Sequence, residues 1–217
     1  ATSVMFGDYL FTHSCDLASS LRTTYACRRI GRSTNVVCEG ELSQIKERGN
    51  LDLSELAYFR IIDGKTAELT ALCGHLGAKY AQADERIVVA MEQYGRSLGL
   101  AFQIADDVLD LTGNEKKTGK TLGSDLDQQK LTLPLIRLLA TASEHDGAEI
   151  RRLLAQPDAT TRQQLAPFFQ QSDAFEYTSK RAQSLAADAR QQLDGWPNST
   201  AKRILSEIAD FAVQRTF

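Results

Sequence analysis

The first 133 residues of this 217-residue chain contain no proline, and their apolar residues recur every three or four positions. Proline disrupts helix interiors, and this spacing places apolar side chains on one helical face, so the pattern predicts helices rather than strands. No internal repeat suggests a solenoid. We therefore predict an all-α fold, a single helical bundle formed by one domain over residues 1–217. The expected helices span roughly residues 3–20, 24–48, 52–80, 83–111, 128–143, 146–156, 173–194 and 198–215.

Two helix boundaries are marked by their own residue types. Asp52 stands three residues before Glu55, a spacing typical of a helix N-cap, so we expect the third helix to begin at Asp52. Gly113 is expected to end the fourth helix. The stretch from there to Ser124 is rich in glycine, lysine and threonine, and we predict an exposed, mobile loop.

The overall charge argues against nucleic acid as a partner. The chain has 25 basic and 28 acidic residues, a formal net charge of −3, and no basic footprint. Its four cysteines show no C-x-x-C spacing, so we expect reduced thiols, no disulfide and a cytoplasmic location. Its three histidines form no zinc motif, so a zinc site is not expected. No apolar stretch reaches the ~20 residues that a transmembrane segment needs.

Three aspartates interrupt an apolar run at residues 102–110, FQIADDVLD. On a helix, Gln103, Asp106 and Asp110 share one face. Asp107 and Asp110 lie near the expected helix C-terminus, where the helix dipole disfavours an anion by about 0.3–1 kcal/mol. A divalent cation with oxygen ligands would offset this repulsion, so the cluster is a candidate Mg²⁺ site.

Lysines follow these aspartates in the sequence. The segment TGKTLGSDL at 118–126 contains Lys120, and Lys130 comes soon after it. Ammonium groups beside metal-binding carboxylates suit a diphosphate, whose charge Mg²⁺ and lysine share. The spacing of a nucleotide-binding P-loop is absent. The alternative is a solvated acidic edge, balanced by Lys116 and Lys117 and followed by a flexible surface loop.

Gly64, Lys65 and Thr66 form a further candidate in the middle of the expected 52–80 helix, where glycine costs about 1 kcal/mol relative to alanine. Lys65 and Thr66 would extend a charge and a hydroxyl into a cavity. The alternative is an exposed lysine beside a glycine that lets helices pack closely. Tyr58 and Phe59, on the same helix, are assigned to the core.

The segment at 102–110 resembles the second aspartate-rich motif of the trans-isoprenyl diphosphate synthases, the polyprenyl synthetase family. Residues 182–215 look like the last helices of that family. The resemblance extends to GDYL at 7–10, EGE at 39–41 with Gln44, Tyr58 seven residues before Lys65, GK at 119–120 and KLTLP at 130–134.

This resemblance implies a homodimeric helical protein with a deep central cavity. The implied activity is that of a Mg²⁺-dependent prenyltransferase, which condenses isopentenyl diphosphate with an allylic diphosphate to make a longer polyprenyl diphosphate in isoprenoid biosynthesis. An apolar product would bring such a protein to a membrane surface. The resemblance assigns Asp106 and Asp110 to the metal with Asp107 in support, Lys65, Lys120 and Lys130 to the diphosphate, and Thr66 and Gln103, together with Lys65, to catalysis at the developing allylic cation.

Two features depart from the family pattern. Gln129 stands where members commonly have glycine, a change expected to touch only the loop. The first aspartate-rich motif, expected just before Gly7, and the residues that bind isopentenyl diphosphate are not in the sequence, so we expect an N-terminally incomplete chain with little activity as written. One alternative is a non-catalytic or regulatory subunit of a heteromeric prenyl synthase. Another is a class I terpene cyclase, although such enzymes generally have a different metal motif here.

Overall fold

The computed structural model describes residues 2–113 and 122–214, and within them the secondary structure is helical, with no strand. The all-α prediction is confirmed. The elements are α1 (Thr2–Ser19), α2 (Tyr25–Lys46), α3 (Glu55–Ile62), a π-helix (Asp63–Ala67), α4 (Glu68–Tyr80), α5 (Glu85–Thr112), α6 (Ser124–Asp127), α7 (Leu133–Thr141), α8 (Glu144–Ala155), α9 (Thr161–Gln170), α10 (Ala174–Gln191) and α11 (Thr200–Gln214).

Helix α5, 28 residues long, is the element against which α4, α10 and α11 pack. Two glycines allow its close approach to α4. A methyl group on Gly95 would overlap the carbonyl oxygen of Thr70, and one on Gly99 would overlap the Thr70 hydroxyl and lie 2.7 Å from Cα of Ala67, the residue before α4. Because these contacts leave no room for a side chain, the axes of α4 and α5 are fixed at short distance.

The main hydrophobic core is formed mainly by residues of α3 and α5 together with the four helices α7, α8, α9 and α10. Each fully buried Leu or Ile contributes about 1.5–3 kcal/mol relative to an exposed one. The largest fully buried apolar side chains in it are Ile62, Ile104, Leu133, Leu135, Leu138, Ile150 and Leu165. This core anchors the C-terminal half of α5, where the aspartates lie. Among the described residues, no helix is both long and apolar enough to span a membrane.

The expected helix over 52–80 differs from the observed structure in two ways. Its N-cap is Ser54, whose hydroxyl accepts a hydrogen bond from the Ala57 N–H at 3.2 Å. Asp52 instead pairs with Arg151 at 2.7 Å, so its prediction as the N-cap is wrong. The helix is also interrupted by the π-helix, which inserts a wider turn between α3 and α4.

Helix α9 lies between the expected helices at 146–156 and 173–194, where none was predicted, in a segment that contains Pro157 and Pro167. Pro167 lies inside α9. The helix persists because Leu165 and Phe169, four residues apart, bury their side chains in the core. Its start is fixed by Asp158, whose carboxylate accepts hydrogen bonds from the N–H and hydroxyl of Thr160 at 2.8 and 2.7 Å.

Gln129 adopts a left-handed backbone conformation, with φ of 51°. This conformation favours glycine, the residue that the family pattern leads one to expect at this position. The Gln129 carbonyl accepts a hydrogen bond from the Gly49 N–H at 2.9 Å, and its side-chain amide donates to the Ala155 carbonyl at 3.0 Å. The expectation that Gln129 touches only the loop is wrong, since it connects the turn after α2 to the end of α8.

Candidate functional site

A polar cavity of about 280 Å³ lies beside the C-terminal half of α5. The π-helix and the segment from Leu122 to Lys130 complete its walls. Five of the predicted site residues line this cavity together: Lys65, Gln103, Asp106, Asp110 and Lys130. The predicted residue Lys120, with Lys116, Lys117 and the rest of the expected mobile loop at 114–121, lies outside the described residues.

Asp110 is held at the start of the short helix α6. One carboxylate oxygen accepts hydrogen bonds from the backbone N–H and the hydroxyl of Ser124, both at 3.2 Å, and the other accepts one from the Asp125 N–H at 3.2 Å. Gly123, with φ of 81°, makes the turn that aims these donors at the carboxylate. Burial and the nearby charge of Asp125 raise the pKa of Asp110, while these hydrogen bonds oppose the shift.

Asp107 points away from the cavity into the core and is only 3% exposed. Its two oxygens accept hydrogen bonds from the Tyr58 hydroxyl at 2.6 Å and from the Gln103 amide at 2.8 Å. Burial, reinforced by the charge of Asp125, raises the pKa of Asp107 to about 7. Metal binding by Asp107 stays a prediction, and in this arrangement both oxygens serve protein donors.

Thr66 reaches the site through Gln103. The Thr66 hydroxyl donates to the Gln103 side-chain carbonyl at 2.7 Å. Because the amide nitrogen of Gln103 also donates to Asp107, both ends of the amide are fixed. A continuous hydrogen-bonded chain therefore runs from Tyr58 in the core to Thr66 beside the cavity.

Lys65 is 18% exposed, so the alternative of an exposed lysine is wrong. Its ammonium group donates to the side-chain oxygen of Gln44 at 2.5 Å and lies 3.6 Å from Glu41. The packing part of that alternative is correct, since a methyl group on Gly64 would lie only 3.3 Å from Cα of Gly40 on α2. In turn, one on Gly40 would come within 2.5 Å of the Lys65 backbone nitrogen. Contact between Gly40 and the π-helix thus brings Lys65 close to its partners on α2.

Asp125 and Tyr58 are the residues of the site that sequence reasoning missed. Asp125 lines the cavity and accepts a hydrogen bond from the Lys130 ammonium group at 3.1 Å. No local pattern marks it, because its place in the cavity depends on the contact of its backbone with Asp110, fifteen residues earlier on α5. Tyr58 does belong to the core as expected, but a buried tyrosine hydroxyl needs a partner, and that need was the available signal.

The cavity thus presents three carboxylates, from Asp106, Asp110 and Asp125, with two ammonium groups. Within residues 2–113 and 122–214, no cluster of three or more His, Cys, Asp or Glu side chains is arranged to hold a metal ion. Mg²⁺ in proteins is commonly bound by only one or two carboxylates, with substrate phosphates and water as its other ligands. Asp106 and Asp110 fit that mode of binding, and the lysines suit the phosphates.

Residues 1–171 match the family described as Polyprenyl synthetase. The chain belongs to the polyprenyl synthetase family. It is 32% identical to an octaprenyl diphosphate synthase from Haemophilus influenzae over 218 residues, which cover 100% of this chain and 66% of that protein. It is 34% identical to heptaprenyl diphosphate synthase component 2 from Geobacillus stearothermophilus over 211 residues, 97% of this chain and 65% of that protein.

Solved structures show the same relationship. A polyprenyl synthase from Caulobacter crescentus, in complex with calcium and isoprenyl diphosphate, matches with a TM-score of 0.91 and 34% identity, covering 99% of this chain and 66% of that one. The family resemblance found in the sequence is therefore confirmed. The chain spans just under two thirds of the length of the relatives it matches, at 66% and 65% for the two named above.

Proposed function

We propose that the protein is a Mg²⁺-dependent prenyltransferase, which condenses isopentenyl diphosphate with an allylic diphosphate to give a longer polyprenyl diphosphate. In this proposal, residues 1–217 form one polyprenyl synthetase-like domain, to which all the helices described above belong. The observation that supports this best is the cavity in which Asp106 and Asp110 stand together with Lys65 and Lys130. Such a set of charges matches a diphosphate accompanied by a divalent cation.

The charged residues of the cavity have two tasks in this reaction, metal binding and diphosphate binding. When bound, Mg²⁺ supplies positive charge to the oxygens of the departing diphosphate. Asp106 and Asp110 would hold that ion, and Lys65 and Lys130 would bind diphosphate oxygens directly. Preorganised charge of this kind favours departure of the leaving group, because no reorientation is needed at the moment of reaction. The same role for Lys120 rests on the family resemblance alone.

Thr66 and Gln103 face a different species, the allylic cation left behind. The Thr66 hydroxyl donates its hydrogen to Gln103, which leaves the lone pairs of its oxygen available to the cation. The Gln103 amide is fixed by Asp107 and cannot turn its N–H₂ group toward that positive charge without losing the hydrogen bond. The two side chains thus present oxygen dipoles of the right sign.

The proposed assembly is a homodimer in the cytoplasm, with membrane contact only through the apolar product. Support for a subunit contact comes from α1, whose large apolar side chains are largely exposed, including Met5 at 67% and Phe6 at 61%. A patch of this kind commonly marks a protein interface. The similarity to heptaprenyl diphosphate synthase component 2 favours a second candidate, a subunit of a heteromeric prenyl synthase.

The proposed function is tested with Asp106→Ala in the full-length protein. Turnover of isopentenyl diphosphate with short allylic diphosphates is expected to fall by orders of magnitude, because the change removes a metal ligand but no core volume. Asp188→Ala is the matched control, since Asp188 is exposed on α10. Undiminished turnover of Asp106→Ala at saturating Mg²⁺ would contradict the assignment. Condensation that appears only after a second, different chain is added would favour the heteromeric subunit.

A further inference from the structure

Arg96, on α5, forms ion pairs at both ends of the π-helix. Its guanidinium lies 2.6 Å from the Asp63 carboxylate and 2.7 Å from that of Glu68. Asp63 is the first residue of the π-helix and Glu68 follows its last residue. One side chain therefore spans the whole segment that contains Lys65 and Thr66.

The ion pair with Glu68 is largely shielded from solvent, since the side chains of Arg96 and Glu68 are only 26% and 15% exposed, whereas that of Asp63 is 40% exposed. Pairs of this kind are screened by salt less than surface pairs. Burial alone lowers the pKa of Arg96, but the hydrogen bonds to both carboxylates outweigh it and raise the pKa, so the guanidinium stays charged. Glu68 also accepts a hydrogen bond from the Ser33 hydroxyl of α2 at 2.6 Å, which fixes the carboxylate from a second side.

The π-helix needs such support because its local sequence does not favour it. The Glu68 N–H donates to the Asp63 carbonyl, five residues earlier, a pattern that is rare and usually limited to one turn. Gly64 adds the conformational freedom of glycine to the same turn. Tertiary contacts must therefore select this conformation over a regular helix, which would rotate Lys65 and Thr66 relative to the cavity.

Arg96 and Gln103 act from the same face of α5, because they are seven residues apart. Gln103 holds the π-helix at Thr66, and Arg96 holds it at its two ends. The planar guanidinium suits this arrangement, since it donates in two directions from one rigid group. Arg96 itself is not among the residues that line the cavity.

We propose that Arg96 is a positioning residue, which fixes the π-helical conformation by bridging Asp63 and Glu68 and so sets where Lys65 enters the cavity and where Thr66 meets Gln103. This inference rests on the proposed function, because it gives Lys65 a diphosphate to bind. It predicts that loss of Arg96 impairs the site without removing any group that touches the substrate.

The first test measures the π-helix directly, by hydrogen exchange of backbone amides at 63–68 in the full-length protein. Arg96→Met is expected to accelerate exchange there about tenfold or more, because the turn loses its bridge. The matched control is Arg137→Met, since Arg137 also donates two hydrogen bonds to carboxylate oxygens, both of them on Asp173, at 2.9 and 2.6 Å, and lies away from the π-helix. Unchanged exchange at 63–68 in Arg96→Met would overturn the proposal.

The second test measures function in the same variants. Arg96→Met is expected to lower kcat by ~10–100-fold, the scale expected when reacting groups are displaced by about 1 Å. Arg96→Lys keeps the charge and is expected to recover part of that rate, whereas Arg137→Met keeps wild-type kcat even if its Tm falls equally. Faster exchange with unchanged kcat would show a merely structural contact and overturn the positioning role. Arg96→Gln, which also removes the charge that bridges Asp63 and Glu68, replaces Arg96→Met in both tests if the latter does not fold.

Calorimetry with inorganic pyrophosphate and Mg²⁺ separates this inference from the proposed function. If the wild-type protein binds pyrophosphate but condenses no prenyl substrate, the proposed prenyltransferase activity fails, while Arg96 is still tested. Weaker binding by Arg96→Met than by Arg137→Met then supports positioning of Lys65. Equal affinity of the two variants, or no binding by the wild-type protein, overturns it.

Discussion

Replacing Tyr58 with phenylalanine removes one hydroxyl from the core and keeps the aromatic ring. The hydroxyl is one of two donors to the Asp107 carboxylate, at 2.6 Å, and the carboxylate is too deeply buried for water to replace it. A hydrogen bond to a charged group contributes about 1.5–3 kcal/mol, and little apolar burial is lost with the hydroxyl. Well above pH 7, where Asp107 with its pKa of about 7 is ionised, we expect Tyr58→Phe to lower the free energy of unfolding by about that amount.

Tyr177→Phe provides the matched control. The Tyr177 hydroxyl also donates to a carboxylate, that of Glu55, at 2.8 and 2.9 Å, but the Glu55 side chain is 33% exposed. Water can reach this carboxylate after the change, so the expected loss is only about 0.5–1.5 kcal/mol. Urea unfolding followed by circular dichroism, with equal slopes for both variants, gives the difference. Equal losses in the two variants would refute the argument from burial of Asp107.

Two further changes test other contacts. Arg162 donates to the Leu111 and Gly113 carbonyls at the end of α5, both at 2.6 Å, so Arg162→Met is expected to lower the free energy of unfolding by about 1–3 kcal/mol in thermal unfolding. Arg152→Met breaks only an exposed pair within α8 and should lower it by less than about 1 kcal/mol. A similar loss in both variants would contradict the role of Arg162 at the end of α5. Burial raises the pKa of Tyr94 from 10.0 to about 12. Above pH 10 the unfolded chain therefore loses this proton first, and the free energy of unfolding falls by up to about 1.4 kcal/mol per pH unit until pH 12. Tyr94→Phe should lack this fall, and parallel pH profiles of stability for the two proteins would contradict the burial of this hydroxyl.

The helical architecture was predictable because it follows from local rules. Helix α5 was expected at 83–111 and is observed at Glu85–Thr112, since its long amphipathic pattern and Gly113 both act within a few residues. Helix α9 was not predictable in the same way. Its internal proline indicates a break locally, and only the burial of its apolar face against distant helices offsets that effect.

For the site, the sequence alone determined that aspartates, lysines and Gln103 occur in a family-specific pattern, and that Asp106 and Asp110 share a helical face. Tertiary structure decided which of them meet. Asp107, one residue and about 100° further round α5, turns into the core toward Tyr58. Asp125 joins the cavity because its N–H meets the Asp110 carboxylate of α5, and Arg96 spans the π-helix through contacts with residues about 30 positions away in sequence. Such contacts arise from the packing of whole helices, which no short-range pattern encodes.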